Sequence, residues 1–426
     1  METYTWDTVF ATTTDFANKA LAASHDKLLP TFSFNMAGFQ IDGAFGSWRI
    51  VGGSGKFLHL ELPVQSGRML DRSGKSFDLS NMSVVVEVQL QLLPSQSDAN
   101  IQSLQFHFKT VGDNTGDATP GVVTLIQVKD LSNRLPEQDK NIFGHAIAEC
   151  LVANAASVSY LFATISAVKS GANSWLNPVQ SDYLYVEIEG GKTGFLAILS
   201  VIDHRDISQL ERKIDPALLV GPGSGFFIIS KELFLRHVIQ PMLPAVFGHE
   251  TTDQGFIYNT QANSIQNTGV FSTDAVQSGA FWYYPKVNYL HITVFESDLA
   301  CTITGSCDMR LDINLTFGVY TRNTLKFDAS SKLLSFGKDP NPTVQHDFHI
   351  PWYDYLIPGI LGIGDLILGI VVPLVADGIA GGIQQNASNL SLAKEPPQAI
   401  QWQGMAGFNV TDAGLNNCFY LRGELQ

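Results

Sequence analysis

The chain has 426 residues, carries a formal net charge of −14 and is 45% hydrophobic but only 15% charged. That length allows two or three domains with a sizeable core. The acidic balance excludes nucleic acid as an expected partner, because phosphate neutralisation needs clustered Lys and Arg.

The opening "METYTWDTVFATTTDFANKAL" has acids and no apolar h-region, so no secretory leader is expected. The protein is expected to be made in the cytoplasm, and any export to need lysis or an unusual route. "TDFANKALAASHDKLLP" predicts a first helix with Thr14 or Asp15 as its cap. From Phe39 to Leu131, runs such as "KFLHLELPV", "MSVVVEVQLQLL" and "VVTLIQVKDL" alternate apolar and polar residues. They predict half-buried antiparallel strands. "NIFGHAIAECLVANAASVSYLFATISAV", residues 141–168, predicts a long apolar helix, because Phe143, Ile147, Leu151, Val158, Leu161, Phe162, Ile165 and Val168 recur at helical spacing.

The charged stretch running into "GPGSG" at 221–225 reads as a linker ending in a hinge. "ISKELFLRHVIQPMLP" predicts a helix capped by Ser230, and a second strand group runs from Gly255 to Phe336. Residues 356–383, "LIPGILGIGDLILGIVVPLVADGIAGGI", are long enough to span a bilayer. Asp365 and Asp377 each cost about 2.5–3.5 kcal/mol at mid-membrane. Pro358 and Pro373 add bends, and no Lys or Arg flanks the segment closely. A second long buried helix is the better expectation. Its arc of Ile367, Ile370, Val371 and Leu374 either packs on a sheet without a ligand or lines an apolar groove.

These elements repeat in order. Leu29-Pro30 and Leu243-Pro244 close corresponding helices at an offset of 214, and the strands near Tyr183 and Ala399 stand 216 apart. The expected architecture is α+β and β-dominated, in two similar halves that form one continuous body. They are 1–205 and 226–426, joined by a linker at 206–225, and each runs short helix, strand meander, long apolar helix, strand.

Motifs for chemistry fail on inspection. Gly74-Lys75-Ser76 lacks the phosphate-loop glycine, since Met69 stands there, and "GGSGKF" at 52–57 lacks Ser or Thr after Lys56; both read as turns. His346, Asp347, His349 and Asp354 match no zinc spacing. Cys301 and Cys307 flank "TITGS" and leave open a hairpin disulfide or two free thiols, the latter fitting a cytosolic product. No catalytic residue, metal or cofactor is expected.

Tyr4, Trp6 and Asp7 in "YTWDTVFATTTDFANKAL", with "FFIISKELFLRHVIQPMLP" in mid-chain, resemble the P-47/OrfX family of accessory proteins from botulinum neurotoxin gene clusters. The resemblance spans most of the chain. It implies the tubular lipid-binding (TULIP) superfamily, with a highly curved antiparallel sheet wrapped around a long apolar helix in each half, and a non-enzymatic accessory role beside a bacterial toxin, with lipid or membrane contact. It carries over no catalytic residue. The expected function is to hold a lipid or another apolar ligand between long helices and curved sheets. Leu151, Val158, Phe162, Ile165, Ile367, Ile370, Val371 and Leu374 are the expected lining. A rival is a closed-core module that protects or assembles a toxin. A third reading is an acid-triggered effector that inserts residues 356–383 once Asp365 and Asp377 are protonated. Expected partners are therefore an apolar ligand, cluster-encoded proteins or a membrane surface.

Overall fold

The structure is a computed structural model. It describes residues 2–95, 98–168, 174–188, 194–247, 251–278, 280–309, 313–349, 368–369, 371–373, 375, 392–394 and 396–426. Among the described residues the fold is α+β and β-dominated, with sheets of six, eleven and eight strands and a separate two-stranded ribbon, all antiparallel but for the pairing of Thr110–Gly112 with Val122–Lys129 in the eleven-stranded sheet.

The six-stranded sheet joins the two parts of the chain. Its order is Gln180–Glu187, Gly194–Val201, Thr8–Thr13, Gly225–Ile229, Phe419–Leu425, Phe408–Leu415. Each half gives its opening strand and its closing hairpin, so the order reads the same from either edge. The opening strands meet in the middle, with Thr8 opposite Ile229 and Thr12 opposite Gly225.

This sheet is buried on both faces. Phe10 and Phe227 join the main core, while Val9, Ala11 and Phe226 face a second cluster. Residues expected to be linker close that second face. Ile214, Leu218 and Leu219 are buried in it, and Asp215 caps the short helix Pro216–Leu219 by accepting from the Ala217 N–H. The "Tyr-x-Trp-Asp" start serves the same cover. The Trp6 indole N–H donates to the Glu211 carbonyl at 2.8 Å, the Asp7 carboxylate pairs with Arg205 at 2.6 Å, and Lys213 lies over the Tyr4 ring.

The "GPGSG" segment is a seam and not a hinge. Gly221 and Gly223 have φ of +146° and +116°, conformations open to glycine. A Cβ on Gly223 would stand 2.4 Å from the Gly423 carbonyl oxygen. Ser224 then binds three strand ends. Its carbonyl accepts from Thr13 N and the Thr12 hydroxyl, its N–H donates to the Gly423 carbonyl, and its hydroxyl accepts from Leu425 N.

The eleven-stranded sheet belongs to the N-terminal half except for Ile400–Trp402, which pairs with Leu161–Ser166 from the far end of the chain. The eight-stranded sheet lies wholly in the C-terminal half. The first helix, Thr14–Ala23, is capped by Thr13, whose hydroxyl accepts from Phe16 N, one residue before the expected cap. Ser230 caps the mid-chain helical segment as expected, its hydroxyl accepting from Leu233 N. That segment widens to a π-turn at Leu235–Ile239, just before Pro241, which has no N–H to give to a regular ladder.

The expected helix at 141–168 is corrected. The helix is Glu137–Ala153, started after Pro136 with Glu137 and Asp139 in its first turn. Asn154 ends it by donating to the Cys150 carbonyl, and Leu161–Ser166 is a strand. Val158, Tyr160 and Thr164 are poor helix formers, and a register shift at Phe162 lets Phe162 be buried beside the row of Ala163 and Ile165. Most of 356–383 lies outside the described residues. Within it Leu368, Val371 and Val375 are helical and buried in the main core. Among the described residues no helix is long and apolar enough to cross a membrane.

A buried charge cluster braces the outer side of the N-terminal sheet. The Glu61 carboxylate accepts from Arg49 at 2.8 Å, Ser83 at 2.7 Å and Lys129 at 3.1 Å. Burial opposes its ionisation, but these three donors outweigh it and hold the carboxyl down at about 2. The folded pKa lies below the unfolded one, so this contribution is present above the ordinary value of 4.5 and is lost as pH falls towards about 2. Glu61→Gln is therefore expected to lower stability at neutral pH and to flatten the acid limb of a stability profile over that window. A variant profile parallel to the wild type down to acid pH would contradict this.

Candidate functional site: the helix–sheet interior and its surface clefts

The helix Glu137–Ala153 presents Phe143, Ala146, Ile147, Cys150 and Leu151 to the N-terminal sheet. Gly144 lets it sit close: a Cβ there would meet the Leu125 side chain at 2.5 Å. Of the expected lining residues, Leu151, Phe162, Ile165 and Val371 are buried in one core cluster, and Val158 is half-buried against it. Leu151 is on the helix, Phe162 and Ile165 are on the strand beside it, and Val371 comes from the C-terminal half. Ile367, Ile370 and Leu374 lie outside the described residues.

Aromatic rings cluster around Phe162 and Phe143. Phe106 packs on Phe162 at 4.9 Å, on Phe108 at 5.1 Å and on Trp48 at 5.9 Å between ring centres. Tyr160 meets Phe162 at 4.9 Å, and Phe32 joins Phe45 at 4.7 Å to Phe143 at 6.4 Å. Most of these contacts are edge-on or tilted, the arrangements that rings favour when packed. Sequence reasoning missed Trp48, Phe106, Phe108 and Tyr160. The signal was present as the two-residue spacing of Phe106 and Phe108, and of Tyr160 and Phe162, in and beside strands. The buried indole N–H groups of Trp48 and Trp402 have no acceptor among the described residues.

Two open clefts flank the first helix, and both are lined by Asp15 and Lys19. One, of about 520 Å³, also takes in Thr13, Ser224 and Glu424; the other, of about 580 Å³, includes Asn18, Trp48 and Arg49. In the first, the Ser224 hydroxyl donates to the Glu424 carboxylate at 2.9 Å and accepts from Leu425 N. All four cysteines are buried and none forms a disulfide, and burial pushes the Cys301 and Cys307 thiols up to about 12 and about 11. Those two share one strand and one face, six residues and therefore about 20 Å apart, so no bridge can join them. His346, Asp347 and His349 alternate along the strand Thr343–His349, and Asp354 lies outside the described residues. Among the described residues no three His, Cys, Asp or Glu side chains converge on a metal-sized site.

The sheet order and the packed core define a β-dominated α+β scaffold. A family profile described as "OrfX-like: Protein OrfX2/OrfX3/P47" matches residues 3–394, and the chain belongs to that family. It is 27% identical to "Protein P47" of Clostridium botulinum (strain Kyoto / Type A2), with the whole of both chains covered. It is 22% identical to "Protein OrfX3" of Paraclostridium bifermentans, over 94% of this chain and 89% of the relative. The solved structure of P47 from Clostridium botulinum A2 superposes with a TM-score of 0.77 at 26% identity, covering 100% of this chain and 98% of that one.

Proposed function

We propose that this OrfX-like accessory protein works by surface contact, protecting or assembling a toxin or another protein encoded beside it. On this reading its two tubular-lipid-binding-like halves act as solid supports and it has no enzymatic role. The observation that carries the reading is the aromatic packing around Phe106 and Phe162, which leaves the N-terminal helix–sheet interior occupied by the chain's own rings. The OrfX and P47 names of its relatives agree with an accessory role.

A second reading, an apolar ligand held deeper in the body, is favoured by Trp402. Its buried indole N–H lacks a partner among the described residues, and a ligand oxygen would relieve that cost. Native mass spectrometry with solvent extraction separates the two. The expected result is the bare chain mass, unchanged after incubation with mixed liposomes. A stoichiometric excess that extracts as phospholipid or fatty acid would replace the first reading with the second.

A further inference from the structure

A β-ribbon in the C-terminal half exposes a row of aromatic side chains that the reading above does not use. One arm runs from Phe271–Ser272 to Val276–Ser278, and the other from Phe281–Tyr283 into the long strand Lys286–Phe295. The arms pair throughout: Phe271 with Val287, Ser272 with Lys286, Thr273 N to the Pro285 carbonyl, and Gln277 with Trp282. Alternation then sorts the second arm. Tyr283, Pro285 and Val287 point inward and are buried. Trp282 and Tyr284 point outward and are 55% and 58% exposed. A bulge at Asn288 shifts the parity, and Tyr289, 42% exposed, continues the same outer row.

Three observations choose the partner. Residues 275–285 contain no Asp, Glu, Lys, Arg or His, although the chain carries −14 overall. At the base of the row Lys286 is paired with Asp308 at 2.9 Å, and Asp274 flanks the other arm outside the uncharged stretch. The outward residues are Trp and Tyr, whose apolar bodies and polar tips suit the boundary between water and lipid headgroups. Charged groups would resist entering that boundary, and an acidic body is repelled by anionic lipid. The geometry points to shallow docking of this ribbon, Trp282 and Tyr284 foremost, on an electrically neutral phospholipid bilayer. This goes beyond the accessory reading and holds whichever way the interior is filled.

The test is flotation of the full chain with vesicles of pure phosphatidylcholine, compared with vesicles that also contain phosphatidylserine. The wild type is expected to float with phosphatidylcholine, and less so as phosphatidylserine is added. Added salt should recover part of the loss by screening. The double variant Trp282→Ser, Tyr284→Ser is expected to bind at least about tenfold more weakly, since each ring withdraws apolar area from the bilayer. Its melting temperature should stay at the wild-type value, because both side chains face solvent. The proposal is overturned by a wild type that does not float, by a folded double variant that floats equally well, or by binding that rises with phosphatidylserine. It is also overturned if vesicles are ignored and the double variant instead loses a co-purifying protein, which would make the row a protein interface. Bare or lipid-filled mass in the native spectrum leaves this test unaffected, so the two readings fail separately.

Discussion

Gly223→Ala is expected to cost about 3–5 kcal/mol, among the largest losses available to a single methyl group in this chain. Two terms add. A φ of +116° excludes an alanine without strain of about 1–3 kcal/mol. The new Cβ would also stand 2.4 Å from a backbone carbonyl, that of Gly423, which cannot rotate away as a side chain would. The neighbouring positions provide a graded control. Gly221 has φ +146°, but its Cβ would meet the Arg422 side chain at 3.0 Å, so Gly221→Ala should cost less. Gly55 has φ +60° and nothing within 4 Å, so Gly55→Ala should cost only the conformational term, about 1–2 kcal/mol. Chemical unfolding followed by circular dichroism would rank the three. Equal losses would mean that φ alone decides, and that the seam between the opening strand of one half and the closing strand of the other does not hold them together. The order matters because Ser224, next to Gly223, ties Thr12, Thr13, Gly423 and Leu425 into one junction. A shift of a few tenths of an ångström there disturbs both halves at once.

That seam also shows what a sequence can and cannot disclose. Local signals were legible. The alternation in "KFLHLELPV" and "MSVVVEVQLQLL" gave strands, Ser230 gave a cap, and "GGSGKF" gave a turn in which Gly53 and Gly55 have positive φ. Equal offsets between similar elements gave the expectation of a two-part plan, and the six-stranded sheet is palindromic in its order. Pairing at long range was not legible. Nothing in "GPGSG" announces that Gly223 lies against Gly423, or that Ile400–Trp402 crosses to pair with Leu161–Ser166. Periodicity also misled where two patterns overlap. Phe162 and Ile165 fit a helical step counted from Leu151, yet Asn154 stops the helix and the β-branched and aromatic residues beyond it pair as a strand. The linker was misread because its charges are plain in sequence, whereas Ile214, Leu218 and Leu219 become a lid only once the sheet they cover exists. For the candidate site, burial of Leu151, Phe162, Ile165 and Val371 was foreseeable from pattern. The rings that occupy the space between helix and sheet come from strands distant in sequence, and their convergence was not.

Phe162→Ala tests what that convergence does. The ring is almost wholly buried and meets Phe106 and Tyr160 edge-on, each at 4.9 Å. If the interior is solid, truncation leaves an unfilled hole and should cost about 3–5 kcal/mol. The hole would be lined by apolar side chains, so it should stay dry and accept a small aromatic molecule such as benzene. Saturating benzene should then raise the melting temperature of Phe162→Ala by mass action and leave the wild type unmoved. A lipid carrier predicts the opposite pair of results. Its groove is already open, so a flexible acyl chain would settle into the vacated space, the variant would lose little stability, and lipid recovered on extraction would rise. Magnitude separates the two cases: about 3 kcal/mol or more is the cost of emptying a packed core, whereas a groove that exchanges ligands has to remain stable while empty. A large loss rescued by benzene would therefore place the function of the N-terminal half on its surface, and a small loss with extra lipid would return it to the interior.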